Sequence, residues 1–553
     1  MTFYPNLLPN SLWFAYLLRS DVRLGRPLED PEARCDFCCW WLIAGHKEYP
    51  KVWGVTPEIV AVAMEMIKTE RGAMPRLLWF LWKIMPDLQK SFPLHDHESL
   101  CGYFCWYRLI APGQFGYAPE LQPELIHETE KHFPLLPSEP FVPRMAIALL
   151  ALSPELGKSL DIRDPADRAR LTRLYQANAS QFVGAPRPIP APPLSPRPML
   201  TEFPPGAMGI NLVGFARSEF GLGEDVRMLA QVLEAARIDY VVVDIGPDSD
   251  SAARREDHTL ASRVVDRPVY PMTILCMSPL DTATMYLRRG LDIFDDRYIV
   301  GYWPWELERL PDPWHEVALL VDEIWAPSRF AEQSFRVQPF RRVRYLPPLV
   351  RLPKFRKLSR SALGLPPKPY LFLYPFDPNS FLARKNPEGA VRAFRRAFPE
   401  KASDADRVRL ILRVNGKTGL PGWERVVAEI GSDRRIIVLE GTMDRPRAVA
   451  LMAGCDCLVS LHRSEGFGRN IAEAKLLGLK VVATGYSGCV DFLKREERVA
   501  YTMVPVGDNY PFGQGFYWAE PDIEDAARKM RKNYLAAIRG VNKGSESRCR
   551  TKK

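Results

Sequence analysis

The chain has 553 residues, of which 46% are hydrophobic and 25% are charged, and its formal net charge is +9. The composition is that of an ordinary globular protein, and the length is too great for one hydrophobic core, so two to four domains are expected. No apolar run approaches the roughly 18 residues of a membrane-spanning helix. The N-terminus has no secretion signal, which predicts a cytoplasmic protein, soluble or peripheral to a membrane, with its cysteines as thiols.

Residues 1–184 are predicted to form a mostly helical N-terminal domain. Apolar residues recur at helical spacing from Pro57 to Thr69 and from Met74 to Met85. Several cysteines and histidines here have the spacing of zinc ligands, namely Cys35, Cys38, Cys39, His95, His97, Cys101 and Cys105. Neighbouring aromatic residues favour buried helix faces instead, on which cysteine acts as a small apolar residue. The sequence therefore predicts no metal site, although the spacing leaves zinc open.

A proline-rich stretch, residues 185–206, is predicted to be a stiff linker between domains. Beyond it, short apolar runs alternate with amphipathic helices, as in βαβ units with parallel strands. The strands predicted for a first Rossmann-like domain, residues 207–349, are Ile210–Phe215, Tyr240–Ile245, Met272–Met277, Tyr298–Tyr302 and Glu323–Ala326. Those predicted for a second, residues 350–540, are Tyr370–Tyr374, Val408–Val414, Arg435–Glu440, Cys457–Ser460 and Lys480–Thr484. Ligands bind beyond the carboxyl ends of such strands, so a cleft between the two domains is expected to hold the site.

Basic residues are concentrated in two places. Eight lie between Pro339 and Arg360 without any acidic residue, and the tail, residues 541–553, contains five basic residues and one acidic residue. Such patches bind anionic lipid headgroups, a phosphorylated substrate or nucleic acid through the same electrostatic attraction. A solvated surface is the alternative.

The densest functional signal is the segment from Ser460 to Lys475, between two predicted strands. It places the turn Gly466-Phe467-Gly468 ahead of a short helix, with Glu465 on the preceding loop and Glu473 about one turn inside the helix. The first turn of a helix directs free N–H groups and a positive dipole end outward, which suits a diphosphate. Two carboxylates beside that anion site suit sugar hydroxyls on either side of it. Taken alone, the pattern also fits simple helix capping.

The same segment resembles the E-x7-E motif of the retaining glycosyltransferases of the GT-B fold, family GT4 (group 1). The similarity extends from about Gly209 to Pro521 and is greatest to bacterial polysaccharide and O-antigen mannosyl- and glucosyltransferases. Other matching pieces begin at Gly301 (Gly-Tyr-Trp-Pro-Trp-Glu-Leu), Ile324 (Ile-Trp-Ala-Pro-Ser-Arg-Phe), Phe376 (Phe-Asp-Pro-Asn-Ser), Arg384 (Arg-Lys-Asn-Pro), Thr484 (Thr-Gly-Tyr-Ser-Gly) and Trp518 (Trp-Ala-Glu-Pro). The resemblance implies two Rossmann-like domains that face each other across a cleft, preceded here by the helical domain.

The resemblance also implies roles on the donor side. Glu465 would bind hydroxyls of the donor sugar, and the Gly466-Phe467-Gly468 backbone would face the sugar and the diphosphate. Glu473 would hold the ribose, and Lys385 would neutralise the diphosphate. The arginine that usually precedes this lysine by several residues has no clear match, and the adjacent Arg384 is the candidate in its place.

The first Rossmann-like domain contributes further candidates. Its glycine-rich segment lacks the G-x-G-x-x-G spacing of a dinucleotide site, so NAD binding is not expected. The resemblance places Gly221 and Gly223 near the leaving phosphate, and Arg217 could add charge there. The acceptor-side candidates are Trp303, Trp305, Glu306 and His462. The alternatives are interface packing for the tryptophans and a structural hydrogen bond for the histidine.

Together these features predict a retaining transferase that moves a hexose, mannose or glucose by preference, from a GDP- or UDP-sugar to a polysaccharide or lipid-linked glycan. The resemblance implies a mechanism without metal and without a resident cofactor. The basic connector and tail would assist docking on the inner face of the cytoplasmic membrane. A catalytically silent sugar-binding scaffold is the competing hypothesis, and nucleic-acid binding is not expected.

Overall fold

The computed structural model describes residues 10–131, 144–152, 154–182, 209–246, 256–336 and 342–550. The chain divides into two compact units. One contains residues 1–196 together with Tyr286–Gly290, and the other contains residues 197–285 and 291–553. The proline-rich linker predicted at 185–206 and the last three residues of the predicted tail lie outside the described part.

The described part of residues 1–184 is mostly helical, as expected. Its helices are α1 (Asn10–Leu18), α2 (Pro31–Trp40), α3 (His46–Glu48), α4 (Pro57–Met64), α5 (Arg76–Ile84), α6 (Pro86–Ser91), α7 (His97–Leu109), α8 (Ala111–Phe115), α9 (Pro123–Glu130), α10 (Arg144–Leu152), α11 (Pro154–Ser159) and α12 (Pro165–Phe182). Aspartate and threonine side chains cap α2, α4 and α7 by accepting main-chain N–H groups.

One helical prediction in this region is wrong. The helix that starts at Pro57 ends at Met64, and two antiparallel strands follow, β1 (Met66–Thr69) and β2 (Gly72–Pro75). The hydroxyl of Thr69 donates to the Gly72 carbonyl oxygen over 2.8 Å, and Gly72 has a φ of +114°. A glycine that adopts positive φ permits the tight reversal, so turn chemistry outweighs the helical spacing of the apolar residues.

The first Rossmann-like domain contains a six-stranded parallel sheet. Its strands are β3 (Gly209–Gly214), β4 (Asp239–Asp244), β5 (Met272–Cys276), β6 (Tyr298–Tyr302), β7 (Glu323–Ala326) and β8 (Val343–Tyr345), in the order β4-β3-β5-β6-β7-β8. Its helices are α13 (Gly221–Ala236), α14 (Pro279–Arg289) and α15 (Arg329–Arg336). The five predicted strands are confirmed to within one residue at either end, because each is a short, largely buried run of the kind that parallel pairing favours. The three-residue β8 was not predicted.

The second Rossmann-like domain repeats this plan. Its strands are β9 (Tyr370–Phe376), β10 (Val408–Val414), β11 (Ile436–Glu440), β12 (Cys457–Ser460), β13 (Lys480–Thr484) and β14 (Arg498–Val499), in the order β11-β10-β9-β12-β13-β14. Its helices are α16 (Leu382–Lys385), α17 (Pro387–Ala397), α18 (Trp423–Ile430), α19 (Arg445–Ala453), α20 (Arg469–Leu476) and α21 (Ile523–Arg550). A hairpin of β15 (Tyr501–Pro505) and β16 (Tyr517–Pro521) precedes α21. Two Rossmann-like domains after a helical region are thereby confirmed.

Strand order explains where a ligand site can form. In the first sheet the chain runs from β3 outward to β4 and then crosses back to β5. In the second it runs from β9 through β10 to β11 and then crosses back to β12. A crevice opens beyond the carboxyl ends of the strands at such a switch point. The segments that follow β3, β9 and β12 contain Gly221, Lys385 and Glu465. Among the described residues, no helix combines the length and the apolarity needed to cross a membrane.

Candidate functional site

A cavity of about 740 Å³ is lined by residues of both Rossmann-like domains. The first domain contributes the start of α13 and the loop before it, including Glu219, Gly221, Glu224 and Arg227. From the second domain come the ends of β9, β10 and β12, the start of α19 and the start of α20. These contribute Lys385, Arg413, Asn415, Arg445, Glu465, Gly468, Arg469 and Glu473, among others. The structure therefore brings the three principal sequence candidates, Lys385, Glu465 and Glu473, to one cavity.

Lys385 and Glu465 form an ion pair in the wall of this cavity. Nζ of Lys385 donates to Oε1 of Glu465 over 2.5 Å, and Nη1 of Arg384 lies 3.5 Å from Oε2 of the same carboxylate. Burial by itself would raise the pKa of Glu465, but Lys385 and Arg384 lower it to about 2. Burial and the charge of Arg384 lower the pKa of Lys385 in turn, against the opposing effect of Glu465. The pair places a fixed negative charge and a compact cation side by side.

Arg384 does not occupy the position expected of a diphosphate ligand. Its side chain is buried, it donates to the Ser464 carbonyl oxygen over 2.8 Å, and its Nη2 lies 3.6 Å from Oε1 of Glu306. Arg384 is absent from the residues that line the cavity. Consecutive residues of a helix point about 100° apart, so α16 directs Lys385 into the cavity and Arg384 behind it. Through its hydrogen bond to the Ser464 carbonyl oxygen, Arg384 supports the loop that contains Glu465.

The Gly466-Phe467-Gly468 turn starts α20. Gly468 has a φ of +89°, which favours glycine, and it lines the cavity at the N-terminus of the helix. A Cβ atom on Gly466 would lie 3.3 Å from Cβ of Pro304, so this residue packs against the first domain. The ring of Phe467 packs on Phe492, with centroids 5.1 Å apart. Of the three residues, only Gly468 is part of the cavity lining, and it brings the first N–H groups of α20 there.

Glu473 is fully buried and bound by an arginine that the sequence analysis did not identify. Nη1 of Arg445 donates to Oε2 of Glu473 over 3.0 Å, and Nη2 contacts Oε1. Nε of Arg445 also lies 3.4 Å from Oε1 of Glu224 in the first domain. The available signal was Asp444-Arg445-Pro446, because an aspartate cap followed by proline predicts a helix start beyond the carboxyl end of a strand.

A second ion pair joins the two domains across the cavity. Arg469, the first residue of α20, pairs with Asp225 of α13. Burial raises the pKa of Asp225 to about 6, although Arg469 opposes this effect. With the Arg445–Glu224 contact, this pair connects the N-terminal end of α13 to the second domain.

His462 is a structural residue in this geometry. Its ring is fully buried, with Nδ1 3.0 Å from the Ser460 hydroxyl oxygen and Nε2 3.4 Å from Sγ of Cys489. Burial lowers its pKa to about 4, so the ring is neutral at pH 7. It does not line the cavity. The structural hydrogen bond, given above as an alternative to acceptor binding, is the arrangement found.

The other acceptor-side candidates also lie outside the cavity lining. Trp303 is fully buried and donates to the Thr282 hydroxyl oxygen over 3.1 Å, while Trp305 is 3% exposed. Neither indole has a free face for a sugar, and packing is the role found for both. Glu306 accepts a hydrogen bond of 2.8 Å from the Tyr510 hydroxyl and faces Arg384.

The glycine-rich first turn of α13 approaches the preceding loop closely at one position. A Cβ atom on Gly223 would lie 2.1 Å from the Ser218 carbonyl oxygen and 2.8 Å from that of Phe215. Around Gly221 there is open space, and this residue lines the cavity. Arg217 does not line the cavity; its carbonyl oxygen accepts from the main-chain N–H of Asp257 over 3.2 Å.

The cysteine and histidine residues of the N-terminal region do not assemble as one cluster. Among the described residues, one group has metal-type ligand atoms within 4.8 Å of one another, and it consists of His97, Cys101 and Glu128. Nη1 of Arg144 lies 3.0 Å from Sγ of Cys101 and 3.3 Å from Nε2 of His97. Arg144 and Lys131 both place positive charge beside Glu128 of this group, and Cys38 and Cys39 are buried elsewhere among apolar residues.

Residues 355–535 match the family model "Glycosyl transferases group 1". No curated protein matches the chain. Similar solved structures include HepE of Anabaena in complex with UDP-glucose, with 16% identity, a TM-score of 0.38 and coverage of 52% of this chain and 84% of that one. A glycosyltransferase from Rickettsia africae has 13% identity, a TM-score of 0.41 and coverage of 60% and 89%. Sucrose-phosphate synthase from Thermosynechococcus elongatus has 16% identity, a TM-score of 0.39 and coverage of 62% and 98%.

The match to the family model includes Lys385, Arg445, Glu465 and Glu473, and thus most of the second domain and its contribution to the cavity. The two Rossmann-like domains have the GT-B architecture, and the second of them is similar to the group 1 glycosyltransferases.

Proposed function

We propose that the protein is a retaining glycosyltransferase that uses a nucleotide-sugar donor bound in the cavity between its two Rossmann-like domains. The carrying observation is the Lys385–Glu465 pair, 2.5 Å across, in the wall of a cavity that the N-terminus of α20 also reaches. A cation and a helix N-terminus suit a diphosphate, and a fixed carboxylate beside them suits the hydroxyls of the attached sugar.

Each residue has a distinct task in this proposal. Glu465 orients the donor sugar, because its pKa, lowered to about 2, leaves an ionised carboxylate that accepts hydroxyl hydrogens at neutral pH. Lys385 and the first N–H groups of α20 bind the diphosphate. Glu473 receives the ribose hydroxyls as they displace the Arg445 guanidinium from its oxygens. The buried carboxylate thereby exchanges one set of hydrogen-bond partners for another.

The chemistry requires charge stabilisation at the leaving group more than a nucleophilic side chain. The acceptor oxygen forms a bond to the anomeric carbon, the bond from that carbon to the diphosphate oxygen breaks, and the acceptor proton passes to the departing phosphate. Negative charge develops on the nucleoside diphosphate, where Lys385 and the α20 dipole stabilise it. Front-face attack of this kind retains the anomeric configuration and needs no metal ion.

The donor is proposed to be a GDP- or UDP-hexose, with mannose or glucose preferred, and the acceptor a polysaccharide or lipid-linked glycan. Support comes from the resemblance of the Ser460–Lys475 segment to bacterial polysaccharide and O-antigen transferases. The cavity, at about 740 Å³, is also of the size that accommodates a small organic ligand such as a nucleoside diphosphate with one attached sugar.

A catalytically silent sugar-binding scaffold is the second candidate, and one observation favours it. The carboxylate proposed to hold the ribose is already bound at both oxygens by Arg445. A scaffold would bind the donor without releasing nucleotide, whereas an enzyme releases it.

The experiment is a panel of nucleotide sugars tested by thermal shift and by nucleotide release. A ligand that binds only the folded protein raises the melting temperature, and this identifies the donor. Release of UDP or GDP then separates enzyme from scaffold, and the anomeric configuration of the product, measured by NMR, tests retention. If no nucleotide sugar shifts the melting temperature, the proposal is wrong.

A further inference from the structure

The segment that connects the two Rossmann-like domains has a basic, largely exposed surface. We define the connector as residues 346–360, which follow β8 and precede β9. It contains five basic residues and no acidic ones. Arg360 is engaged within the second domain, since its Nη2 lies 2.7 Å from Oδ2 of Asp456. The remaining four, Arg351, Lys354, Arg356 and Lys357, are exposed, and no carboxylate of the described residues lies within ion-pair distance of them.

Apolar side chains are interleaved with these charges. Leu346, Leu349 and Leu358 are 38%, 50% and 36% exposed. Exposed leucines among free cations are characteristic of surfaces that sit at the boundary between lipid headgroups and acyl chains. The one aromatic residue of the connector, Phe355, packs instead against the core of the second domain. The connector therefore offers no exposed aromatic face for stacking on bases, which disfavours single-stranded nucleic acid as its partner.

The connector also forms part of the rim of the donor cavity. Arg351, Leu352 and Pro353 are among the residues that line it. A surface that lies against the connector is therefore next to the cavity. A lipid-linked acceptor in that surface would reach the cavity without leaving its membrane.

We propose that the connector docks the protein on the anionic leaflet of a membrane, with Lys354, Arg356 and Lys357 on the headgroups and Leu349 and Leu358 inserted among them. The inference rests on the proposed function, because docking would bring the donor cavity to a lipid-linked acceptor. The attraction of clustered lysine and arginine residues to acidic lipids is electrostatic and is screened by salt.

The test uses the full chain and vesicles, and it does not depend on activity. Wild type is floated with vesicles of phosphatidylcholine containing 30% phosphatidylglycerol, on the order of the anionic fraction that gives a surface potential of tens of millivolts. The test variant is Lys354→Glu/Arg356→Glu/Lys357→Glu. The matched control is Arg528→Glu/Lys532→Glu/Arg539→Glu on α21, which makes the same change of charge on another exposed basic surface.

Vesicle binding is expected to fall at least about tenfold in the connector variant and to change little in the control. In about 0.5 M salt, electrostatic attraction is screened within a few ångströms, so the vesicle binding that persists depends on the apolar side chains. Leu349→Ser is expected to weaken this remaining binding. Equal binding to vesicles of phosphatidylcholine alone, or loss in the α21 control instead, would overturn the proposal. Connector-dependent binding to RNA without binding to vesicles would overturn it in favour of nucleic acid.

The same variants separate this proposal from the proposed function. Donor-induced thermal shift and nucleotide release in detergent-free solution should be unchanged in the connector variant, because none of its three residues lines the cavity. Absence of a donor effect in wild type would contradict the proposed transferase and leave the vesicle result standing.

Discussion

Nζ of Lys385 lies 2.5 Å from Oε1 of Glu465, although 80 residues separate the two in the chain. Lys385 ends a four-residue helix after β9, and Glu465 lies on the loop after β12, the strand next to β9 in the sheet. Their contact therefore follows from strand order. It gives the cavity a carboxylate whose pKa is lowered to about 2, and beside it a cation for an incoming diphosphate.

Glu465→Gln should reduce nucleotide release by at least about 10²-fold, since it removes the charge that orients the donor and fixes Lys385. It should also lower stability by about 1–3 kcal/mol, because Lys385 and Arg384 lose a buried partner. The measurements are nucleotide release and urea unfolding.

A matched control separates the two effects of Glu465→Gln. Glu520 pairs with Arg463 outside the donor cavity, and its side chain is 29% exposed against 16% for Glu465. Glu520→Gln should lower stability by less than Glu465→Gln does and leave release near the wild-type rate. Equal losses of activity in both variants would assign the effect of Glu465 to folding.

Arg445→Ala should destabilise the protein by several degrees in melting temperature, because it leaves the fully buried Glu473 carboxylate without its two hydrogen bonds. Arg445→Lys should restore part of the loss through a single contact. Differential scanning fluorimetry measures both. If the melting temperature of Arg445→Ala equals that of wild type, the ion pair contributes nothing to the fold, and Glu473 is free for ligand.

Two neighbouring glycines give a matched pair of backbone tests. Gly223→Ala should lower both stability and donor affinity, since the new methyl group would lie 2.1 Å from the Ser218 carbonyl oxygen and force the loop away. Gly221→Ala meets open space, and alanine in a helix should stabilise the free protein by about 0.4–1 kcal/mol. Weaker donor binding by Gly221→Ala alone would indicate that ligand approaches this backbone closely.

Because His462 is buried, we expect the free energy of unfolding to depend on pH. Its folded pKa of about 4 lies below the ordinary value of 6.5, so between these limits the unfolded chain binds a proton that the folded protein does not. Stability should therefore fall as pH drops from 6.5 to 4, by up to about 1.4 kcal/mol per pH unit. His462→Asn should reduce the difference between urea midpoints measured at pH 7.5 and pH 4.5.

Glu465 acts in a separate pH window. Its pKa of about 2 is below the ordinary 4.5, so its contribution to stability is present above pH 4.5 and is lost between pH 4.5 and pH 2. An unchanged midpoint difference in His462→Asn above pH 4.5 would therefore contradict the assignment to the histidine.

The sequence was sufficient for those features that depend on local pattern. Buried apolar runs such as Val408–Val414 and Cys457–Ser460 have few conformations open to them other than central parallel strands, and both were predicted with correct ends. The Gly466-Phe467-Gly468 turn was sufficient to predict a helix start. The positive φ of Gly468 in the structure explains why glycine is favoured at this position. The hairpin of β1 and β2 was missed, because a helix-like spacing of apolar residues concealed a turn at Gly72.

Which side chains share the site was decided only by tertiary structure. Arg384 and Lys385 are adjacent and equally basic in sequence, yet the turn of one short helix directs Lys385 to the cavity and buries Arg384 behind Glu465. Trp303 and His462 looked suitable for an acceptor, but burial gave them hydrogen bonds to Thr282, Ser460 and Cys489. The sequence determined the strands and the residue types at their ends. Strand order, helix phase and burial then decided which residues meet, because these depend on contacts between segments far apart in the chain.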